Sequence, residues 1–231
     1  MISVITPVFN QSTFTKQYLN DMKESLSSED EIIIVNNGST DNTKAILDDW
    51  NGAATLLVID NEKNEGFAKA CNQAYSVSIG NNVIFLNNDI KTKRSDWFYS
   101  LLDAIEDDSI VGYTGGYVDE KTFNFKYETQ DLLKKINYIS GWCVAGNRKT
   151  FERMKEDLGN EMGPFIEDFK TYFEDTYMGF QCKRLNIKMK IAIPADVVHF
   201  GKMTSRTLNT TELYLSAKAK FTKRILQERK G

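Results

Sequence analysis

The stretch from Asn82 to Asp89 sets the tightest limit on how this chain folds. Val83 to Leu86 is a short apolar run of the kind buried on both faces of a sheet, and it stops abruptly at Asn87, Asn88 and Asp89. Two amides and a carboxylate do not stay inside such a strand, so they emerge at its C-terminal end. Comparable runs lie upstream at Ile2 to Thr6, Glu31 to Val35 and Ala54 to Ile59. The segments between them have helical character. Tyr18, Leu19, Met22 and Leu26 recur at helical spacing behind a Ser12 or Thr13 cap, Asp41 is placed to cap a helix over 42–50, and Phe67 to Ser78 forms a third. This alternation predicts an α/β fold, a Rossmann-like and mostly parallel sheet with helices on both faces and right-handed connections.

In an open sheet of that kind, ligands bind outside the C-terminal ends of the strands. Pro7 stops the first strand before the turn Val8, Phe9, Asn10, which offers backbone groups and an aromatic edge, and Asn36 adds an amide. That set suits a pyrimidine base. Asp89, flanked by Asn87 and Asn88, suits a hard divalent cation shared with phosphate oxygens, although an Asn-Asp turn without a ligand fits the same residues. The chain has no Gly-x-x-x-x-Gly-Lys loop and no Gly-x-Gly-x-x-Gly turn after its first strand, which disfavours the usual ATP and dinucleotide sites.

Four motifs in order carry a family resemblance: Thr6 to Asn10, Val35 to Asp41, Asn64 with Gly66, Phe67, Ala68 and Asn72, and Leu86 to Asp89. Over about the first 90 residues the chain resembles the family 2 glycosyltransferases of the GT-A fold. The resemblance implies an inverting transfer from a nucleotide-sugar donor, UDP- or dTDP-linked, to a hydroxyl acceptor. It assigns Pro7, Val8, Phe9, Asn10, Asn36, Gly66, Phe67, Asn72, Asn87 and Asn88 to the donor and Asp89 to a Mg²⁺ or Mn²⁺ ion. The family commonly has Asp at the position of Asn36, where it binds the base, and Asn87 to Asp89 stands where the family has Asp-x-Asp.

The second half is less regular. Ile110 to Tyr113 predicts a further strand, and Ser140 to Gly146 reads as a sheet edge leading into a helix from Arg148 to Met154. In similar transferases this segment lines the acceptor cleft, which makes Trp142 a candidate to stack on a sugar, beside the alternative of a core Trp. Glu174 and Asp175 open a helix to Leu185. Acidic residues suit a first helical turn in any protein, and the pair also matches the family's base-bearing Glu-Asp motif. Asp175 is the first candidate for the base, Glu174 the second and Asp168 the third. His199, the only histidine, is a candidate second metal ligand, and Lys202 and Arg206 in the following loop are candidates for the diphosphate.

Composition closes off other classes. With 41% hydrophobic and 26% charged residues the chain is globular material, and no apolar run approaches the roughly 18 residues of a spanning helix. Met1 leads straight into a core strand, and Cys71, Cys143 and Cys182 are odd in number and widely spaced, so a cytoplasmic protein with reduced cysteines is expected. From Gln181 onward twelve Lys and Arg stand against three Asp and Glu, whereas the preceding body has 17 against 29. A basic final helix after Thr210, with apolar contacts from Leu213, Leu215, Ala219, Phe221 and Ile225, therefore leaves an anionic acceptor open, modified nucleic acid included. The expected organisation is one domain over 1–231, with 1–110 binding the nucleotide sugar and 111–231 the acceptor. A nucleotidyltransferase and a non-catalytic nucleotide- or carbohydrate-binding module are the competing classes.

Overall fold

The structure is a computed structural model that describes residues 1–169, 171–193, 195–201 and 210–230. In chain order its elements are β1 (Ile2–Val8), α1 (Ser12–Ser25), β2 (Glu31–Asn37), α2 (Thr43–Asp48), β3 (Thr55–Asn61), α3 (Phe67–Val77), β4 (Asn82–Leu86), β5 (Ile90–Thr92) and α4 (Tyr99–Ala104). Then follow β6 (Ser109–Gly112), β7 (Gly115–Val118), β8 (Phe125–Thr129), β9 (Tyr138–Ile139), β10 (Cys143–Asn147), α5 (Arg148–Leu158), α6 (Glu174–Leu185), β11 (Lys188–Ile191), β12 (Val197–His199) and α7 (Thr210–Glu228).

Seven strands form one sheet in the order β11-β6-β10-β4-β1-β2-β3. Only β10 runs against its neighbours, so the sheet is mostly parallel as its apolar runs predict. Alternate side chains separate the two faces, the period-2 consequence of strand geometry. Val4, Ile32, Ile34, Ile84 and Leu86 pack against α1, α2 and α4, whereas Ile5, Ile33, Val35, Val83 and Phe85 pack against α3, α5 and α6.

Several local expectations change. β1 continues through Pro7 to Val8, because beyond Ile5 only β2 lies alongside and a missing N–H is tolerated at such a half-open end. Neither Ser12 nor Thr13 caps α1. Gln11 occupies that position in the left-handed region, and Asp41 instead accepts from the N–H groups of both Ser12, at 2.9 Å, and Thr43, at 3.0 Å, joining the starts of α1 and α2. β10 is an interior strand, not an edge. It is buried between β4 and β6, and its Gly146 lets the Phe151 ring approach, where a Cβ would lie 3.1 Å from that ring.

Two small sheets complete the molecule, β8-β7-β9 and β12-β5. The second pairs His199 with Ile90, one residue after Asp89. A separate cluster of aromatic Phe123, Phe169, Phe173, Tyr177 and Phe221 with aliphatic Ile225 holds α7 against α6. Leu215 lies on the outer side of α7, 59% exposed, and Ala219 is exposed as well, so Ala217, Phe221 and Ile225 make the buried contacts instead.

Candidate active site

The C-terminal ends of β1, β2 and β4 gather the polar residues expected there. Asn10 and Gln11 have φ of 54° and 61°, a costly conformation that is held by bonds to the neighbouring turn. The Asn10 N–H donates to Ser39 Oγ at 2.8 Å, and its Oδ1 accepts from the Thr40 N–H at 2.8 Å. Pro7, Phe9 and Asn10 are half-buried and Val8 is buried. Asn36 at the end of β2 donates from Nδ2 to Asp60 Oδ1 at 2.8 Å. Sequence reasoning does not single out Asp60, although the signal was present: it closes the apolar run of β3 as Asn36 closes that of β2.

Asn37 organises the loop beyond β3. It donates to Asn64 Oδ1 and to the Gly66 carbonyl, and accepts from Asn61 and from the Glu65 N–H. Gly66, with φ 96°, then starts α3, and Phe67 packs edge-on to Phe165. Asn72, expected at the donor, is fully buried, with Nδ2 on the Phe165 carbonyl and Glu167 Oε1 and Oδ1 accepting from the Phe165 N–H, which ties α3 to 165–167.

After β4, the Asn87 N–H donates to the Trp142 carbonyl at 2.9 Å, and Asn88 Nδ2 reaches Thr15 Oγ1 at 3.0 Å. Asp89 Oδ1 lies 3.1 Å from His199 Nε2, a contact produced by the β5-β12 pairing. A carboxylate oxygen and an imidazole nitrogen at that distance suit one borderline-hard divalent cation. Among the described residues no third His, Cys, Asp or Glu completes a cluster with them. Lys202 and Arg206 lie outside the described residues.

Trp142 carries His199. The two rings stack at 4.8 Å with 10° between planes, Tyr113 covers the other face at 6.2 Å, and the indole N–H donates to Thr114 Oγ1 at 2.7 Å. Trp142 is 8% exposed, and its stacking on His199 orients the imidazole.

Glu174 and Asp175 begin α6 after Tyr172 and Phe173, which have φ of 64° and 70°. Asp175 is half-buried, with Oδ2 on the Gly141 N–H at 3.0 Å and Oδ1 on the Thr176 N–H at 2.6 Å. Burial pushes its carboxyl up, against the lowering effect of these N–H groups, with the Glu128 charge adding to the rise. Glu174 is raised as well, by burial first and by the charge of Asp175 second. Its Oε2 is enclosed without a hydrogen-bond partner, and its charge is felt at the Cys71 thiol within the core. Asp168 is exposed and ion-paired to Arg224 at 3.2 Å.

Adjacent residues thus join the two chemical centres: Gly141 binds Asp175, while Trp142 bonds the chain beside Asp89 and stacks on His199. The mostly parallel sheet, with a carboxylate and an imidazole at the end of β4 and an acidic pair opening α6, has the GT-A fold. The model of glycosyl transferase family 2 matches residues 3–188, and the chain belongs to that family. It is 25% identical over 181 residues to the glycosyltransferase GlyA of Streptococcus pneumoniae serotype 4, covering 68% of this chain and 26% of that protein, so it spans about a quarter of that relative's length. Among solved structures it resembles the mannosyltransferase PcManGT of Pyrobaculum calidifontis, in complex with GDP-Man and Mn²⁺, with TM-score 0.65, 17% identity and coverage of 84% of this chain and 55% of that one. It also resembles S. aureus TarS residues 1–349 in complex with UDP-GlcNAc, with TM-score 0.62, 21% identity and coverage of 92% and 64%.

Proposed function

We propose that the protein is an inverting glycosyltransferase that moves a sugar from a UDP- or dTDP-sugar to a hydroxyl of a saccharide acceptor. The observation that supports this reading is the adjacency of Gly141, whose N–H donates to Asp175, and Trp142, whose carbonyl accepts from the Asn87 N–H and whose ring stacks on His199. Asp175 takes the proton from the acceptor hydroxyl, whose oxygen attacks the anomeric carbon as the nucleoside diphosphate leaves from the opposite face. Asp89 and His199 are the residues that would hold Mg²⁺ or Mn²⁺, and the bound ion supplies Lewis acidity at the departing diphosphate. Residues 1–110 serve the donor and 111–231 the acceptor. Support for a saccharide acceptor includes similarity to the poly-β-1,6-N-acetyl-D-glucosamine synthase of Staphylococcus epidermidis, 29% identical over 175 residues. Cys71, Cys143 and Cys182 are free and buried, which fits a reducing, cytoplasmic setting, and among the described residues no helix is long and apolar enough to cross a membrane.

The test is incubation with UDP-, dTDP- and GDP-sugars in Mg²⁺ or Mn²⁺, reading release of free nucleoside diphosphate. Metal-dependent release from one nucleotide class is expected, and Asp89→Ala removes the metal-dependent part while leaving the fold intact. Binding without turnover under every condition identifies a binding module, and pyrophosphate release from a nucleoside triphosphate and a sugar phosphate identifies a nucleotidyltransferase. Either result overturns the proposal.

A further inference from the structure

The parallel ladder between β2 and β3 sets Asn36 beside Asp60 at the ends of both strands. Asn36 is 5% exposed and its amide is held at both ends: Nδ2 donates to Asp60 Oδ1 at 2.8 Å, and Oδ1 accepts from the Ser39 N–H at 3.3 Å. The acceptor end of that amide is therefore turned into the 38–40 turn. Asp60 is placed differently. Its side chain is 47% exposed, with one oxygen on Asn36 and the other on Lys44 Nζ at 2.7 Å. A carboxylate oxygen accepts two hydrogen bonds, so each keeps a site for a ligand.

Position along the sheet says which part of a donor would arrive there. The order β4-β1-β2-β3 and a strand spacing of about 4.8 Å place the ends of β2 and β3 about 10–14 Å from the end of β4. Asp89 and His199 mark the diphosphate end at β4, so a nucleoside diphosphate laid across the strand ends brings its base to β2 and β3. Asn10 closes that place from the side of β1 through its bonds to Ser39 and Thr40.

We infer that Asp60 reads the nucleobase of the donor: its carboxylate accepts the ring N–H of an imide or lactam base, uracil first, and Asn36 is the positioning residue that holds it. The inference rests on the donor reading proposed above. Hydrogen bonds to Lys44 first, and to Asn36 second, hold the Asp60 carboxyl below its usual range, so it accepts as an anion at neutral pH. A charge-assisted bond of this kind favours a base carrying the ring N–H, whereas the ring nitrogen of cytosine or adenine at the same place presents a lone pair to a negative charge. The carboxylate that the family commonly carries at position 36 is in this chain supplied from the neighbouring strand.

Calorimetry with UDP and GDP, against CDP and ADP as bases lacking that N–H, tests the assignment. The parent protein should bind UDP or GDP at least tenfold tighter than its control. Asp60→Asn, nearly isosteric and half-exposed, should shrink that preference to less than threefold with the melting curve retained. The exchanged pair Asn36→Asp with Asp60→Asn returns the carboxylate to β2 and should restore most of the preference, which a merely structural role for Asp60 would not do. A parent that discriminates while Asp60→Asn discriminates equally overturns the inference and leaves the donor reading standing. A parent that binds no nucleoside diphosphate at all overturns both.

Discussion

Asp175 and Glu174 are neighbours, both half-buried, that differ in their hydrogen bonds. Asp175 accepts from the Gly141 and Thr176 N–H groups, while Glu174 has one enclosed oxygen unpartnered. Replacing Asp175 by Asn keeps size and hydrogen bonding but removes the base, so donor binding should hold within twofold while transfer falls roughly 10²-fold or more. Titration calorimetry and initial rates check the two halves separately. Because burial raises the Asp175 carboxyl, the acid limb of kcat/KM should lie above the ordinary aspartate range, with activity rising as pH increases through it. Glu174 affects stability with its own sign. Its folded-state pKa is raised, so the fold retains a proton that the unfolded chain has lost; stability is greatest below the unfolded value and declines as pH rises toward the folded one. Glu174→Gln removes that decline, and its melting temperature should gain on the parent's as pH rises from 5 toward about 8 and level off above it. The acidic pair was legible in the sequence because a motif names it. The packing of Asn72 and Trp142 was not, since their partners, Phe165 with Glu167 and Tyr113 with His199, lie far away along the chain.

Elements reach the crevice through close approaches that only small residues allow. α6 crosses β9 so tightly that a Cβ on Gly179 would stand 2.0 Å from the Asn137 carbonyl oxygen. Gly179→Ala must push the helix away, at a cost of about 1–3 kcal/mol, with the larger end favoured because the obstacle is backbone. Since α6 carries Asp175 at its start, the same substitution should lower turnover more than donor affinity. Urea denaturation with an unchanged m-value, beside the kinetics, separates displacement from general loosening. The apolar runs announced β1, β2 and β4, because burial on both faces leaves a local signature, and β3, at the sheet edge without a buried residue, was announced by its apolar run alone. β10 did not announce its place. A run such as Cys143 to Asn147 has the same composition at an edge or in the interior, and only its antiparallel pairing with β4 and β6 decides.

Taken whole, the molecule neutralises much of its own charge asymmetry. Arg224 pairs with Asp168 and Glu228, Arg229 with Glu120, and Arg184 with Asp157 and Glu228, which leaves fewer cations for an anionic acceptor than the count along the chain suggests. Such exposed pairs contribute only about 0–1 kcal/mol each, so α7 is held chiefly by its aromatic contacts. Phe221 is fully buried among Phe123, Phe169, Phe173 and Phe180. Phe221→Ala should cost about 3–5 kcal/mol and speed amide exchange along α7 before the central sheet, whereas raising salt alone should release the helix hardly at all. Hydrogen exchange read by mass spectrometry distinguishes these outcomes.

Periodicity and the abrupt polar ends of apolar runs act over a few residues, so the amino-acid order alone was enough for the mostly parallel sheet and for its polar strand ends. The partners at those ends came from the tertiary structure. Asp89 meets His199 across 110 residues, Asn36 meets Asp60 across 24, and Asp175 meets Gly141 across 34. Each meeting depends on strand register or on a turn packed against a distant helix. A hydrogen bond has no periodicity to leave in the chain, and its partner is chosen only when the sheet has closed.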